Sequence, residues 1–140
     1  MTDVQRRAER IVSGMLAKDE FSRWLGLEVS ELAPARCVCR MVVRDDMVNG
    51  FGVAHGGIVF SLADSAFAFA CNTQGRIAMS IENAITYPRP VHAGDQLTAV
   101  ASEESASRRL GFYRVDVTNQ RQETVALFRG TVYKTSQEHP

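Results

Sequence analysis

The segment from Gly56 to about Thr73 is the feature that most constrains this chain. It has the length of a helix, is apolar on nearly every side, and contains one charged residue, Asp64. A helix of this kind is buried in a core or an interface. Because an ionised carboxylate is costly to bury alone, Asp64 must be paired, protonated or used in chemistry. No Arg or Lys lies within the segment, which favours a functional carboxylate.

The rest of the sequence predicts what covers this helix. Residues 3–18 carry a helical stripe of apolar residues, with Asp3 as the expected cap. Alternating apolar and polar residues predict six strands, at 25–33, 36–44, 79–87, 95–107, 110–119 and 124–135. The simplest arrangement wraps the apolar helix in a curved antiparallel sheet. Part of the helix surface is left to meet a second copy of the chain.

Size and composition narrow the class of protein. We expect 140 residues to form one domain, 1–140, with 1–19 as an N-terminal helical extension. Sixteen basic and sixteen acidic residues cancel, which predicts no nucleic-acid partner and no membrane surface. The absence of a signal peptide and the three unpaired cysteines predict a cytoplasmic protein. The spacing of the histidines and cysteines predicts no metal site.

The residues before the helix complete a candidate site. His55, Gly56 and Gly57 place small residues at the helix start, where backbone N–H groups are free and the dipole favours negative charge. With Asp64 two turns later, they form a candidate pair of carbonyl-polarising amide and water-activating carboxylate. His55 is either a cap or a catalytic group. Asn49 is either a turn residue or a polar positioner.

Several sequence stretches resemble the hotdog-fold acyl-CoA thioesterases, and among them most closely the phenylacetate-pathway thioesterases. The resemblance runs from about residue 20 to residue 135. Its motifs are Asn49-Gly-Phe-Gly-Val-Ala-His-Gly-Gly57, Phe60-Ser-Leu-Ala-Asp-Ser-Ala-Phe67, Cys71-Asn-Thr-Gln-Gly75, Tyr87-Pro-Arg-Pro90, Ala93-Gly-Asp-Gln-Leu97 and Val125-Ala-Leu-Phe-Arg-Gly130.

This resemblance implies an α+β hotdog fold, in which a long central helix is wrapped by about six antiparallel strands. It also implies dimers that join as tetramers, with each site at a dimer interface. The catalytic carboxylate of the family matches Asp64, and its carbonyl-polarising amide matches Gly56. The other catalytic positions match Asn49, His55 and, as a strand hydroxyl from the partner subunit, Ser80.

The expected substrate contacts follow from the same resemblance. The family binds the phosphates of coenzyme A with basic residues, and the matching residues here are Arg89, Arg108 and Arg109, the last two lying just before Gly111. The alternative is that all three arginines are ordinary charged residues on a solvated surface. The helix residues predicted to contact substrate are Gly57, Phe60 and Ser65, and Gly111 is the further predicted contact. No cofactor is expected apart from the acyl-CoA substrate itself.

The leading functional prediction is hydrolysis of aryl-acetyl-CoA, either phenylacetyl-CoA or hydroxyphenylacetyl-CoA, to the free acid and CoA. Asp64 would act as general base or as nucleophile, and the sequence does not separate these routes. One alternative is a non-catalytic acyl-CoA-binding hotdog module, although the intact set of Asn49, Gly56 and Asp64 argues for chemistry. Another is an enoyl-CoA hydratase or dehydratase, which the segment before His55 does not favour.

Overall fold

The computed structural model describes every residue from Met1 to Pro140. It contains three helices, α1 (Asp3–Lys18), α2 (Glu20–Leu25) and α3 (Gly56–Cys71). The six strands are β1 (Glu28–Ala33), β2 (Arg36–Val42), β3 (Arg76–Thr86), β4 (Gln96–Ala106), β5 (Leu110–Thr118) and β6 (Thr124–Glu138). A single turn of 3₁₀ helix covers Asp45–Met47. This confirms the predicted α+β fold.

The six strands form one antiparallel sheet in the order β1-β2-β4-β5-β6-β3, and α3 packs across its inner face. Alternate residues of the central strands point at the helix and are fully buried, as the sequence pattern predicts. The sheet therefore seals most of α3 from solvent. None of the three helices has the length and apolar character needed to cross a lipid bilayer.

One side of α3 is left uncovered by the sheet. Residues spaced three or four apart along the helix keep part of their surface in solvent, and we refer to them as the open strip: Gly57, Ser61, Asp64, Ser65 and Ala68. The opposite side of α3 is fully buried, including Leu62, Ala66 and Phe67. Asp64 thus lies on the one side of the helix that another molecule can reach.

The tightest contact between the helix and the sheet lies at Gly130 on β6. A Cβ atom at this position would lie 2.6–2.9 Å from three ring atoms of Phe67. The Phe67 ring has no room to move, because Tyr113 packs against its edge at 5.7 Å and Phe128 lies at 5.4 Å, centroid to centroid. Glycine at 130 therefore sets how closely β6 approaches α3.

The N-terminal part of the chain differs from the prediction in two ways. Helix α2 is absent from the prediction, because six residues are too few to show a helical period. The predicted cap Asp3 is wrong, since the hydroxyl of Thr2 accepts the hydrogen bond from the Gln5 N–H at 3.1 Å. Helix α1 packs on the outer strand β1, where the Gln5 side chain donates to the carbonyl of Leu32 at 2.8 Å.

Strand β3 lies at the other edge of the sheet and pairs only with β6. Its apolar residues Met79 and Ile81 are each 60% exposed. The alternation of apolar and polar residues that predicts this strand therefore does not identify which of its faces is buried. The register with β6 shifts between Ser80 and Glu82, where Ile81 is an extra residue, a β-bulge.

We expect Gly130→Ala to lower the free energy of unfolding by about 1–3 kcal/mol, the usual cost of overpacking a rigid core. Gly14 is a matched control, because it lies on the exposed side of α1 and an added Cβ would have no atom within 4 Å. Gly14→Ala should raise the free energy of unfolding by roughly 0.5–1 kcal/mol, as helix propensity dictates. Equal effects of the two substitutions in urea unfolding would contradict the tight contact at Phe67.

Candidate functional site

Asp64 is a half-buried carboxylate without a charged partner. It takes part in no ion pair, and its one hydrogen bond comes from the side-chain amide of Asn83 on β3, which donates to Oδ1 at 3.4 Å. Burial raises the pKa of Asp64 above its ordinary value, because the low-dielectric surroundings disfavour the charged form. A carboxylate of raised pKa with free lone pairs is a good proton acceptor near neutral pH.

The start of α3 provides one unused backbone donor. The N–H of Gly57 donates to Nδ1 of His55 at 3.0 Å, and the N–H of Ile58 donates to the carbonyl of His55 at 2.9 Å. The N–H of Gly56 has no acceptor within the chain. It is therefore free to bind an oxygen atom at the positive end of the helix dipole.

His55 itself is the cap of α3. Its ring nitrogen Nδ1 accepts from Gly57, so the neutral ring carries its proton on Nε2. This arrangement supports the capping interpretation and leaves a catalytic role of His55 as a prediction.

Tyr87 contacts the start of α3 on the side away from the His55 ring. No pattern in the sequence predicts this role of its side chain. Its hydroxyl donates to the carbonyl of Gly56 at 2.8 Å. The Tyr87 ring lies against the first turn, 3.4 Å from where a Cβ on Gly56 would be, which is ordinary van der Waals contact. Burial also raises the pKa of Tyr87, which keeps the phenol protonated as a donor.

Two pockets flank the helix start. The first, which we name the Trp24 pocket, has a volume of about 360 Å³ and is lined by Phe21, Trp24, Asp46, Met47, Val48, His55, Gly57, Ile58 and Ser61. The second, the Tyr87 pocket, has a volume of about 300 Å³ and is lined by Val53, Ala54, Gly56, Val59, Tyr87, Arg89, Pro90 and Val91. The two adjoining glycines therefore face different pockets.

An aromatic wall on α2 forms one side of the Trp24 pocket. The rings of Phe21 and Trp24 stack with centroids 6.0 Å apart, and about half of each side chain is exposed. The guanidinium of Arg44 lies 4.9 Å from the Trp24 ring centroid and also donates to the carbonyl of Leu25 at 3.3 Å. This cation–π contact holds the indole in place before any ligand arrives.

The predicted positioner Asn49 is engaged in its own loop. Its Oδ1 accepts from the N–H of Phe51 at 2.9 Å, and its backbone N–H donates to the carbonyl of Val53 at 2.7 Å. These bonds support the interpretation of Asn49 as a turn residue. The side-chain Nδ2 has no partner within the chain, so a role toward substrate stays a prediction.

The other predicted residues of α3 have structural contacts. The hydroxyl of Ser65 lies 3.0 Å from that of Ser22, which donates to Asp19 at 2.6 Å and so ties α3 to α2. Phe60 packs edge-on against Phe128 with centroids 5.6 Å apart. Substrate contacts of Ser65 and Phe60 stay predictions.

The predicted basic residues lie at two different ends of β3. Arg89 follows the strand, lines the Tyr87 pocket and pairs with Glu123 at 3.7 Å. Arg108 and Arg109 lie in the β4–β5 turn at the strand's start, where Arg76 donates to the carbonyl of Arg108. Eleven residues of strand separate the two ends by about 30 Å. One chain therefore does not bring the arginine turn to its own Gly56.

Gly111 has a packing role within the chain, and its contact with substrate stays a prediction. The residue is buried, and a Cβ there would lie 3.0 Å from Val132 and 3.1 Å from the Tyr113 ring. Glycine at this position lets the Tyr113 ring pack against the sheet, which is a structural role.

Asn83 is the site residue that sequence reasoning misses. Besides donating to Asp64, it accepts at Oδ1 from the hydroxyl of Ser80 at 2.9 Å. Simple alternation places residues 80 and 83 on opposite faces of a strand, so no pattern in the sequence links them. The predicted strand hydroxyl of Ser80 thus reaches Asp64 of its own chain through Asn83.

The cysteines and histidines form no metal cluster, since no group of three or more His, Cys, Asp or Glu side chains is arranged to hold an ion. Cys37 and Cys39 are fully buried neighbours on β2, with sulfur atoms 3.7 Å apart. The hydrogen bond with Cys37 and burial raise the pKa of Cys39 far above its ordinary value, so it carries no charge.

Comparisons with known proteins identify the family of this chain. A profile described as "Thioesterase superfamily" matches residues 51–126. The acyl-coenzyme A thioesterase PaaI of Escherichia coli is 38% identical over 131 residues, which are 94% of each chain. Human acyl-coenzyme A thioesterase 13 is 29% identical over 123 residues, 86% of this chain and 88% of the human protein.

Solved structures give the same result. The E. coli PaaI protein, described as coming from the phenylacetic acid degradation operon, superposes with a TM-score of 0.94 at 37% identity, covering 97% of this chain and 99% of that one. A Streptococcus mutans protein solved bound to acetyl CoA superposes with a TM-score of 0.78 at 25% identity, covering 81% and 91%.

We expect His55→Ala to lower the free energy of unfolding by about 1 kcal/mol, because the start of α3 loses its cap. His55→Asn should restore most of that loss, since Asn is a favoured cap. If capping is the role of His55, turnover of an acyl-CoA substrate should also recover in the Asn variant. Two inactive variants of normal stability in urea unfolding would instead show that the imidazole takes part in the chemistry.

Proposed function

This chain belongs to the thioesterase superfamily and is an acyl-CoA thioester hydrolase, and from this premise we propose that its substrates are aryl-acetyl-CoA thioesters. Phenylacetyl-CoA and hydroxyphenylacetyl-CoA are the proposed members of that class. The observation that carries the proposed chemistry is the unpaired, half-buried carboxylate of Asp64 on the same helix as the free N–H of Gly56.

In the proposed reaction, the N–H of Gly56 donates to the thioester carbonyl oxygen and stabilises the negative charge that develops there. Eight residues of α3 separate Gly56 from Asp64 of the same chain, about 12 Å, so the base in this proposal is Asp64 of a paired copy. That carboxylate accepts a proton from water as the water oxygen bonds to the carbonyl carbon. The carbon–sulfur bond then breaks, and the proton passes to the departing thiolate of CoA. In the alternative route, the same carboxylate attacks the carbonyl carbon itself, and the carbon–sulfur bond breaks to release the CoA thiolate and leave a mixed anhydride. Water then hydrolyses the anhydride to the free acid and the regenerated carboxylate, and the proton that water loses passes to the thiolate.

The two pockets at the helix start suggest how the substrate lies. The Trp24 pocket is lined by aromatic and aliphatic side chains and suits an aryl group. The Tyr87 pocket contains Arg89, which suits the polar CoA portion. The thioester would then lie across Gly56 and Gly57, between the two. No metal or organic cofactor is needed in this proposal, because water and side chains of the protein perform every step.

We further propose that two copies pair along β3, as the family resemblance implies. The support is an eleven-residue edge strand with two exposed apolar side chains, Met79 and Ile81, which an isolated protein would have to protect. A two-fold axis beside β3 pairs the two strands antiparallel. That arrangement brings Arg108 and Arg109 of one copy to the Tyr87 end of the other, where they could hold CoA phosphates. Two such dimers would form the implied tetramer.

We expect Asp64→Asn to lower the rate of CoA release from phenylacetyl-CoA by about 10²–10⁴-fold, the usual cost of losing a general base. The substitution keeps the size of the side chain and its hydrogen bond from Asn83. The assay measures free thiol from phenylacetyl-CoA, hydroxyphenylacetyl-CoA, benzoyl-CoA, acetyl-CoA and palmitoyl-CoA.

The outcomes of this assay separate the alternatives. Preference for the aryl-acetyl substrates in the wild type supports the substrate proposal, and preference for palmitoyl-CoA contradicts it. Hydrolysis that survives Asp64→Asn means that another group is the base. Tight binding of every thioester without turnover would instead identify an acyl-CoA-binding module.

We expect Trp24→Ala to reduce kcat/KM for phenylacetyl-CoA by about 10-fold, while acetyl-CoA changes little. The reason is that stacking on an aromatic wall contributes roughly 0.5–1.5 kcal/mol beyond buried area, and only an aryl substrate uses it. Trp24→Phe keeps an aromatic ring and is the matched control. An equal loss for both substrates would show that Trp24 supports α2 rather than selecting the acyl group.

A further inference from the structure

The β-bulge in β3 brings two polar side chains of the edge strand to the same face. Along a regular strand, Ser80 and Asn83 would point to opposite faces of the sheet. The extra residue Ile81 shifts this alternation by one, since Ser80 pairs with Val132 while Glu82 pairs with Thr131. Both polar side chains consequently face α3, and Asn83 reaches Asp64.

The hydrogen bonds fix the direction in which the Asn83 amide points. An ionised carboxylate accepts hydrogen bonds and donates none, so the amide NH₂ must face Asp64. The amide oxygen then points away and needs a donor, which the hydroxyl of Ser80 supplies at 2.9 Å. With the opposite orientation, the oxygens of Asn83 and Asp64 would face each other. The carboxylate therefore sets the orientation of the amide, and Ser80 supplies the donor that this orientation requires at the amide oxygen.

No charged group provides a substitute for this contact. The titratable side chains that face inward around α3 are Cys71 on α3, Cys37 and Cys39 on β2, Tyr113 on β5 with its partner Glu103 on β4, and Asp19 beside α2. Burial raises the pKa values of Cys71 and Tyr113, and the hydrogen bond with Cys37 together with burial raises that of Cys39, so all three are neutral near neutral pH. Asp64 forms no ion pair with any basic residue, so Asn83 provides its one polar contact.

We propose that Asn83 is the positioning residue of the hydrolytic site, which holds Asp64 through Oδ1 and leaves Oδ2 free to receive the proton of water, and that Ser80 acts through Asn83. This proposal rests on the proposed role of Asp64 as the base. It assigns the bulge at Ile81 a function, since a strand without the bulge would turn one of the two polar side chains away from α3.

The test compares Asn83→Ala, Ser80→Ala and the double variant with the wild type, using thiol release from phenylacetyl-CoA. We expect Asn83→Ala to lower kcat by roughly 10–100-fold with little change in KM, because a misplaced catalytic group costs up to about 10²-fold. Ser80→Ala should have a smaller effect of the same kind. The double variant should be no slower than Asn83→Ala alone, since both substitutions remove one unit.

The pH profile gives a readout that a merely structural role would not move. A donated hydrogen bond favours the charged carboxylate, so its loss raises the pKa of Asp64 and moves the acid limb of kcat/KM to higher pH. Asn83→Asp replaces the donor with a second carboxylate and should move the limb further in the same direction. Ala84→Ser, on the next, outward-facing residue of β3, is the control and should leave the profile unchanged.

Each outcome decides the proposal. Wild-type kcat and an unmoved acid limb in Asn83→Ala, together with an inactive Asp64→Asn, would overturn the role of Asn83 and leave the base assignment intact. Full activity of Asp64→Asn would overturn both. Losses of both kcat and melting temperature in Asn83→Ala, without a shift of the limb, would show that Asn83 only stabilises the fold.

Discussion

The packing of α3 against the sheet is the constraint on which the rest of the structure depends. An apolar helix must be sealed from water, and the close approach of Gly130 to Phe67 lets β6 complete that seal. The sheet nevertheless leaves one side of the helix uncovered. The open strip that is left presents Asp64 to a ligand while its surroundings are still dry enough to raise its pKa. The same packing therefore forms the core and raises the pKa of Asp64.

The start of α3 depends on a division of tasks among a few neighbouring groups. His55 accepts a hydrogen bond from the N–H of Gly57, and the hydroxyl of Tyr87 donates one to the carbonyl of Gly56. These two bonds hold the first turn of α3 on both sides. The remaining free donor is the N–H of Gly56. Because the Trp24 pocket and the Tyr87 pocket lie on either side of this donor, one thioester can span both pockets and place its carbonyl there. In this proposal, helix α2 contributes the aromatic wall, which gives a short helix a part in substrate choice.

The sequence predicts the fold well because its strongest signals are long ones. Six alternating strands and one apolar helix leave few ways to bury the helix, and the structure has that arrangement. Asp64 stands out because a lone charge in an apolar helix has few explanations. Asn83 is not predicted, because a one-residue bulge changes which side chains of β3 share a face. Helix α2 is not predicted, because six residues are too few to show the 3.6-residue period of a helix. At Gly111 the sequence does not reveal the packing role, because a glycine in a motif can serve packing, here of Tyr113, as well as binding.

A crystal structure of Asp64→Asn with intact phenylacetyl-CoA would test the proposed chemistry most directly. We predict the thioester oxygen within about 3 Å of the Gly56 backbone nitrogen, the usual hydrogen-bond distance, with the aryl group in the Trp24 pocket. We also predict that the carbonyl carbon or its attacking water lies beside residue 64 of the paired copy, where that side chain is still held by Asn83 of its own chain. A thioester bound away from the start of α3, touching neither Gly56 nor residue 64, would contradict the proposed mechanism.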